Sequence, residues 1–201
     1  MTGDGYPPRA AGQGEAPQQA AAAEAALLAR ARQGDREAFE ALVRGLWPAL
    51  VRFCHGLAGR DRGLDLAQEA LLRALRGIRS FRGEASFRSW VFRIARNAWI
   101  NERALLRSRT ERSAGETVLD RAAATESPSA AEERRELVAE IERALAQLPE
   151  EQRTALLLCD REGLSYKEIA EAMGTPIGTV MSRIHYARTK LRRMLAHLAR
   201  R

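Results

Sequence analysis

Apolar residues recur at steps of three and four over most of the chain, which is the spacing of the buried face of an α-helix. Over residues 25–108 this pattern predicts four helices, and over residues 132–201 it predicts four more. No stretch alternates between apolar and polar positions with the period of two that a half-buried strand requires. The sequence therefore predicts an all-α fold of two small helical domains, the second of them a four-helix domain.

Composition separates these helical segments from two others. Residues 1–24 are rich in Gly, Pro, Gln and Ala, which predicts a disordered N-terminal tail. Residues 109–131 are polar, small and interrupted by proline, which predicts a flexible linker between the domains. Within the first domain, Gly56, Gly59 and Gly63 predict a loop between the second and third helices.

Two short predicted helices joined by a glycine-containing turn close the second domain. Ser165 and Glu168 have the spacing of a capping box at the start of the first one, and Gly174 ends it. The second helix buries one side and is basic on the other, as in the helix-turn-helix motifs that enter the major groove of DNA. The candidate DNA-facing residues are Thr179, Ser182, Arg183, His185, Arg188, Lys190, Arg192 and Arg193.

A surface hairpin with a solvated basic face is the alternative interpretation of this motif. However, Glu171 is the last acidic residue of the chain, and every charged residue after it is basic. The whole chain has a net charge of +7 and a pI of about 10.3, which favours a polyanionic partner. Residues 25–108 hold 16 basic and 8 acidic side chains, whereas residues 132–201 hold 13 and 11. A second nucleic-acid surface is therefore predicted in the first domain.

The fourth helix of the first domain interleaves aromatic residues with arginines and amides. Aromatic and guanidinium planes suit unstacked bases, whose faces are hidden in an intact duplex. The loop at residues 81–86 is a candidate wall of a pocket for such bases. The alternative is that Trp90 and Trp99 are core aromatics. The residues that share one face at helical spacing are Trp90, Arg93, Asn97 and Asn101, with Arg96, Trp99, Ile100 and Arg103 beside them.

The third predicted helix carries an acidic and polar patch of Asp65, Gln68 and Glu69 opposite its apolar side. In a basic domain such a patch indicates a protein-docking face. The alternative is that acidic residues in a first turn only complement the helix dipole.

Other features narrow the class of protein. No residues have metal-ligand spacing or combine a nucleophile with a base, so no catalytic site, metal or cofactor is predicted. Cys54 and Cys159 lie far apart in apolar patterns, which favours buried free thiols over a redox role. No apolar run is long enough to span a bilayer, and the N-terminus lacks the pattern of a signal peptide. A cytoplasmic location is expected.

Three stretches, taken in order, resemble the group-four, or extracytoplasmic-function, sigma factors of bacterial RNA polymerase. They read DLAQEALLRAL, SFRGEASFRSWVFRIARN and LPEEQRTALLLCDREGLSYKEIAEAMGTPIGTVMSRIHYARTKLRRML. The resemblance covers about residues 25–195 and implies a promoter-specificity subunit that binds core RNA polymerase and helps to open the minus-ten region. Residues 25–108 would be the region-two domain, and residues 132–201 the region-four domain.

The resemblance also implies a role for each candidate surface. Asp65, Gln68 and Glu69 match the patch that docks on the clamp coiled coil of the core enzyme, and the C-terminal domain would contact its flap. An anti-sigma factor that covers both domains is expected as a further partner. For promoter DNA, the residues implied for the melted minus-ten strand are Phe81, Arg82, Arg88, Trp90, Arg93, Arg96, Asn97, Ile100 and Asn101, and those for the minus-thirty-five duplex are Thr179, Met181, Ser182, Arg183, His185, Tyr186 and Arg188.

Met181 and Tyr186 depart from the family pattern, in which basic residues are frequent at these positions. This implies a promoter element read more through apolar contact, for instance with thymine methyl groups. A stand-alone helix-turn-helix regulator that binds palindromic duplex as a dimer is the alternative function. A helical adaptor that binds only protein is a second one. The aromatic and arginine-rich helix and the DLAQE patch argue against the regulator.

Overall fold

The computed structural model describes residues 15–110 and 130–198, and it confirms the all-α fold, since these residues contain helices and no strand. The helices are α1 (Glu15–Arg32), α2 (Arg36–Ala58), α3 (Arg60–Gly77), α4 (Phe87–Thr110), α5 (Ala130–Ala146), α6 (Glu150–Leu156), α7 (Tyr166–Met173) and α8 (Ile177–Met194). A 3₁₀ turn at Ile78–Ser80 follows α3, and a π-helical turn at Leu157–Arg161 continues α6.

Helices extend into both of the segments that the sequence predicts to be non-helical. The tail prediction is wrong for residues 15–24, which belong to α1, and residues 1–14 lie outside the described part of the chain. The run Ala20–Ala23 explains the difference, because alanine has the highest helix propensity. At the linker, α4 extends to Thr110 and α5 begins at Ala130, so only residues 111–129 lie between them, and these are not described.

The loop predicted from three glycines is wrong, because α2 and α3 meet at a tight corner. Gly59 alone separates the two helices, with a φ of 79° that favours glycine. Gly63 lies inside α3, where an added Cβ would come within 2.6 Å of the Cα of His55. The glycines therefore allow two helix backbones to approach closely rather than marking a flexible segment.

The core of the first half is formed by α2, α3 and α4. Phe53 and Phe92 are fully buried and meet edge to face, with ring centroids 5.0 Å apart. Fully burying side chains of this size contributes roughly 1.5–3 kcal/mol each, which fixes α4 against α2. Ser86 caps α4, since its hydroxyl accepts a hydrogen bond of 3.0 Å from the backbone N–H of Ser89.

The helix-turn-helix of the second half is formed by α7 and α8, as the capping residues predict. Ser165 and Glu168 make the reciprocal bonds of a capping box, and Gly174 ends α7 with a left-handed φ of 62°. Val180, Ile184 and Ala187 bury one side of α8. This places the opposite side of α8 toward solvent.

The two halves pack against each other, which the sequence analysis did not predict. Helix α4 lies against α7, and α2 lies against the π-helical turn. Leu157 reaches the backbone of α2 at Gly56, where an added Cβ would lie 2.7 Å from the Cδ1 atom of Leu157. The buried apolar side chains consequently form one continuous cluster across both halves.

Candidate nucleic-acid interface

The predicted single-strand face of α4 is organised around a half-buried Trp90. Its ring lies 5.0 Å from the ring of Phe81 and 6.0 Å from that of Phe87, and Gly77 of α3 lies beneath it. These contacts fix the orientation of the indole ring. Asn97 and Asn101 are exposed along the same side of α4.

Two of the predicted aromatic positions belong to the core. Phe81 is buried, so its ring supports Trp90 and is not itself available to a base in this structure. Trp99 is also buried, and the guanidinium of Arg103 lies 5.8 Å from the centre of its ring. Ile100 is half-buried. Arg82 is exposed in the loop that precedes α4, and its Nη1 atom lies 3.9 Å from Oε1 of Glu84.

The arginines of this face contact the second half of the protein. The guanidinium of Arg88 donates to the backbone carbonyl of Glu162, and that of Arg93 donates to the carbonyl of Glu171. Arg96 forms an ion pair with Glu151, and only 14% of its side chain is exposed. The arginines predicted to bind DNA are therefore largely engaged with protein groups.

The outward side of α8 is far more accessible. Met181 and Tyr186 are 52% and 60% exposed, and Ser182 and His185 are exposed beside them. The rings of His185 and Tyr186 meet edge to face at 5.6 Å. Thr179 is half-buried, and its carbonyl accepts a 2.9 Å hydrogen bond from the hydroxyl of Ser182.

Two basic residues of α8 are held by acidic partners. Nη1 of Arg183 lies 2.9 Å from Oε2 of Glu151. Nε of Arg188 donates to Oδ2 of Asp160 at 3.1 Å, and this carboxylate raises the pKa of the guanidinium. Glu151 thus contacts one predicted DNA-binding arginine from each half of the protein, Arg96 and Arg183.

The predicted docking patch lies on the exposed side of α3. Asp65 and Gln68 are exposed, and Glu69 accepts a 2.7 Å hydrogen bond from Nε of Arg73. An apolar groove also lies on this side of the domain, and it was not predicted from the sequence because its residues fit the helical pattern of a core. The groove, of about 600 Å³, is lined by Val43, Trp47, Leu71 and Leu75, and Leu72 is exposed nearby.

Three glutamates of the second half, Glu150, Glu151 and Glu162, contact arginines of the first half, and these contacts were not predicted from the sequence. Glu150 Oε2 lies 2.9 Å from Nη1 of Arg103, and Glu162 Oε2 lies 2.9 Å from Nη2 of Arg52. The carboxylate of Glu162 has no exposed surface, and this burial raises its pKa despite the neighbouring arginines. The available signal was the acidic pair in the LPEEQ stretch, which follows a strongly basic domain.

Neither cysteine has the environment of a reactive thiol. Burial raises the pKa of Cys54 to about 12 and that of Cys159 to about 11. Both thiols are free, and the thiolate needed for oxidation is scarce at neutral pH. Over residues 15–110 and 130–198 there is no His, Cys, Asp and Glu cluster suited to a metal ion. The helices in these ranges also lack the length and hydropathy for crossing a membrane.

Two family models match the chain, one in each of the two halves that lie on either side of residues 111–129. The model described as Sigma-70 region 2 matches residues 42–110, which run from α2 to the end of α4. The model described as Sigma-70, region 4 matches residues 139–191, which run from α5 into α8. Together they define the class of protein as a sigma factor of the sigma-70 type.

Individual relatives narrow this class. The chain is 37% identical over 186 residues to the RNA polymerase sigma-H factor of Pseudomonas aeruginosa, which covers 87% of this chain and 94% of that protein. It is 36% identical over 173 residues to the ECF RNA polymerase sigma-E factor of Haemophilus influenzae, with 81% and 90% covered. The sigma factor RpoE of Bartonella quintana, solved in complex with the anti-sigma factor NepR, has a TM-score of 0.66 and 27% identity over 79% of this chain and 96% of that chain.

The chain belongs to the sigma-70 family of RNA polymerase sigma factors, in its ECF group. It is a promoter-specificity subunit of RNA polymerase, and this function is favoured over the stand-alone helix-turn-helix regulator.

Proposed function

We propose that the two halves of this sigma factor divide promoter recognition between α4 and α8. The α4 face around Trp90, Arg93 and Asn97 holds unpaired bases of the minus-ten strand, and Arg82, Arg88, Arg96, Ile100 and Asn101 support it. The exposed side of α8 reads the minus-thirty-five duplex through Ser182 and His185. The corresponding functional domains are residues 25–108 and 132–201, with the connection at residues 109–131.

The observation that supports this division most directly is the difference in chemistry between the two helices. The α4 face combines a fixed aromatic ring, exposed amides and arginines, which suits stacking and edge recognition of a splayed base. The outward side of α8 is the regular, exposed face of the second helix of a helix-turn-helix, and a face of this kind fits the major groove of DNA.

Helix α8 also contacts the duplex through apolar side chains. Met181 and Tyr186 are the most exposed apolar side chains of α8, and neither carries the charged, forked donors with which arginine binds a phosphate or a guanine. Their apolar surfaces suit contact with thymine methyl groups. Arg183 and Arg188 supply the phosphate contacts once their carboxylate partners are displaced.

The α3 patch of Asp65, Gln68 and Glu69 docks on the clamp coiled coil of core RNA polymerase. The neighbouring groove at Val43 and Trp47 offers apolar area that the acidic patch alone lacks, and specific interfaces combine both kinds of surface. The region-four half contacts the flap. Because the related RpoE is bound by the anti-sigma factor NepR, an anti-sigma factor is also proposed as a partner here. The protein acts in the cytoplasm with RNA polymerase and has no catalytic activity of its own.

The test is reconstitution of the purified chain with bacterial core RNA polymerase, followed by genome-wide sequencing of transcript starts. New starts with a shared upstream element are expected only when the chain is present. Asp65→Arg should weaken binding to the core enzyme, whereas the control Glu136→Arg on the exposed side of α5 should not. Absence of new starts, or specific duplex binding without core polymerase, would contradict the proposal.

A further inference from the structure

A small pocket lies where the end of α1, the start of α2 and the end of α3 meet. It has a volume of about 350 Å³, and Leu75 and Ile78 form part of its lining. Three arginines also line it: Arg36 at the start of α2, Arg76 in the last turn of α3, and Arg79 in the 3₁₀ turn that follows. None of its described lining residues belongs to α4, so the pocket is separate from the face proposed for the minus-ten strand.

The three arginines of this pocket have no carboxylate partner. Over residues 15–110 and 130–198 none of them forms an ion pair. By contrast, Arg62 and Arg73 of α3 pair with Glu102 and Glu69. All three pocket arginines are exposed, so their guanidinium groups can turn toward a ligand that enters from solvent.

The carboxylate at the edge of the pocket is already engaged elsewhere. Asp35 lines the pocket, but its Oδ1 accepts a 3.1 Å hydrogen bond from the backbone N–H of Ala38, and its Oδ2 accepts one of 2.8 Å from Nε of Arg30. Nη2 of Arg79 lies over Gly34, 3.1 Å from the position of an added Cβ. The pocket therefore keeps an excess of positive charge, to which the N-terminal end of the α2 dipole adds.

We propose that Arg36, Arg76 and Arg79 form a binding site for phosphate groups. Guanidinium groups bind phosphate oxygens through forked pairs of N–H donors, and arginines from two helices and a turn suit a ligand with several such oxygens. The volume lies at the lower end of the range of about 300–1,000 Å³ for small-molecule sites, and a single small ion would leave most of it empty.

Two sources carry this phosphate chemistry, a free polyphosphate and the backbone of a DNA strand. Both present adjacent, negatively charged oxygens, and the pocket contains no group that would select between them. The proposal depends neither on the assignment of α4 to the minus-ten strand nor on docking to core polymerase, because the free chain is sufficient to test it.

The first measurement titrates sodium tripolyphosphate into the full-length free chain at low ionic strength, followed by isothermal titration calorimetry. The double variant R76Q/R79Q should bind at least about tenfold more weakly than the control R44Q/R135Q. The control removes the same charge from exposed arginines that do not line this pocket and form no ion pair within the described residues.

A second measurement uses a fluorescent, random-sequence DNA strand of about 20 nucleotides and the same two variants. If the backbone of a strand occupies the pocket, R76Q/R79Q should bind this strand more weakly than R44Q/R135Q. Its affinity should also depend less steeply on salt, because fewer phosphate contacts release fewer counterions. If a free polyphosphate is the ligand, the two variants should bind the strand equally.

The two probes together decide the outcome. A larger loss in R76Q/R79Q with the strand alone assigns the pocket to a strand backbone, a larger loss with tripolyphosphate alone assigns it to a free polyphosphate, and a larger loss with both shows a site open to either. Equal affinities of the two variants for both probes would overturn the proposal, because binding would then follow net charge alone. Circular dichroism verifies the helical content. If R76Q/R79Q loses helix, Arg79→Gln, which lies outside α3, repeats the comparison against Arg44→Gln.

Discussion

The two helices proposed to bind DNA, α4 and α8, differ in how much of their proposed DNA-facing side is exposed to solvent. The outward side of α8 presents Met181, Ser182 and Tyr186 to solvent, whereas the arginines of α4 are engaged by the opposite half of the chain. The base-facing positions of α8 are therefore accessible in this structure, although Arg183 and Arg188 are paired with carboxylates, whereas the arginines of α4 are covered. This difference matches the order of events at a promoter, where paired DNA is met before opened DNA.

The faces of α4 and α8 also differ in how their side chains are supported. The α8 face consists of side chains that need no support beyond the helix, because Val180, Ile184 and Ala187 anchor its other side. The α4 face depends on a layer of aromatic rings, since Trp90 rests on Phe81 and Phe87. Substitutions on α8 should therefore change recognition alone, while substitutions around Trp90 also affect stability.

The largest effect is expected from removal of the strand-binding groups. Trp90→Ala or Asn97→Ala should reduce open-complex formation by the reconstituted polymerase, by about 5- to 150-fold if one stacked base worth roughly 1–3 kcal/mol is lost. Binding of the closed duplex should change little. Filter binding and permanganate footprinting on the same promoter measure the two steps.

A promoter fragment with an unpaired minus-ten region serves as the control for the strand-binding variants. If Trp90 holds the opened strand, its loss should weaken binding to this fragment as well. Equal losses on duplex and unpaired DNA would instead indicate misfolding or plain phosphate contact.

A smaller effect is expected from single substitutions on α8. Ser182→Ala or His185→Ala should change the preference at one position of the minus-thirty-five element, by about 1–3 kcal/mol if the contact is a good one. A library of promoters randomised over this element, transcribed with each variant, measures the preference. Arg192→Ala, in the last turn of α8, is the matched control and should weaken all promoters equally. An unchanged preference in both test variants would contradict the assignment of α8.

The smallest effect concerns the buried carboxylate between the halves. Burial raises the pKa of Glu162 above its usual value of 4.5, so the folded protein binds a proton more readily than the unfolded chain does. The stability from this group is present below that usual value and is lost as pH rises through the raised pKa. Glu162→Gln should remove this part of the pH dependence of the free energy of unfolding, as urea titrations between about pH 4 and pH 8 would show. If the Glu162→Gln variant kept the full pH dependence of the wild type, the role of Glu162 would be contradicted. Glu133→Gln is the control and should leave the pH dependence unchanged.

The features predicted correctly from the sequence are those set by neighbouring residues. The capping box at Ser165, the helix end at Gly174 and the buried side of α8 all follow from spacings of a few residues. The glycine cluster was misjudged because its meaning depends on a second helix, whose His55 backbone touches Gly63. Local pattern alone does not distinguish a flexible loop from a close helix crossing.

The packing of the two halves against each other could not be predicted for the same reason, at longer range. Its contacts join residues that lie far apart in the sequence, such as Arg52 and Glu162, which are 110 positions apart. Trp90 and Trp99 show that, even within a single helix, the sequence pattern does not predict how deeply a residue is buried. Both fit the same helical pattern, yet Trp99 is core and Trp90 lies at the boundary of the core.

The tight corner at Gly59 and Gly63 has a mechanical consequence. Helix α3 carries the proposed polymerase-docking patch near its start, and Gly77 at its end packs beneath Trp90. Gln68 and Gly77 are about 14 Å apart along the helix axis at 1.5 Å per residue. Because Gly59 alone separates α2 from α3, the corner leaves little room for these two helices to move relative to each other. The angle at which the polymerase would bind the proposed patch at one end of α3 therefore bears on the position of Trp90 at the other end.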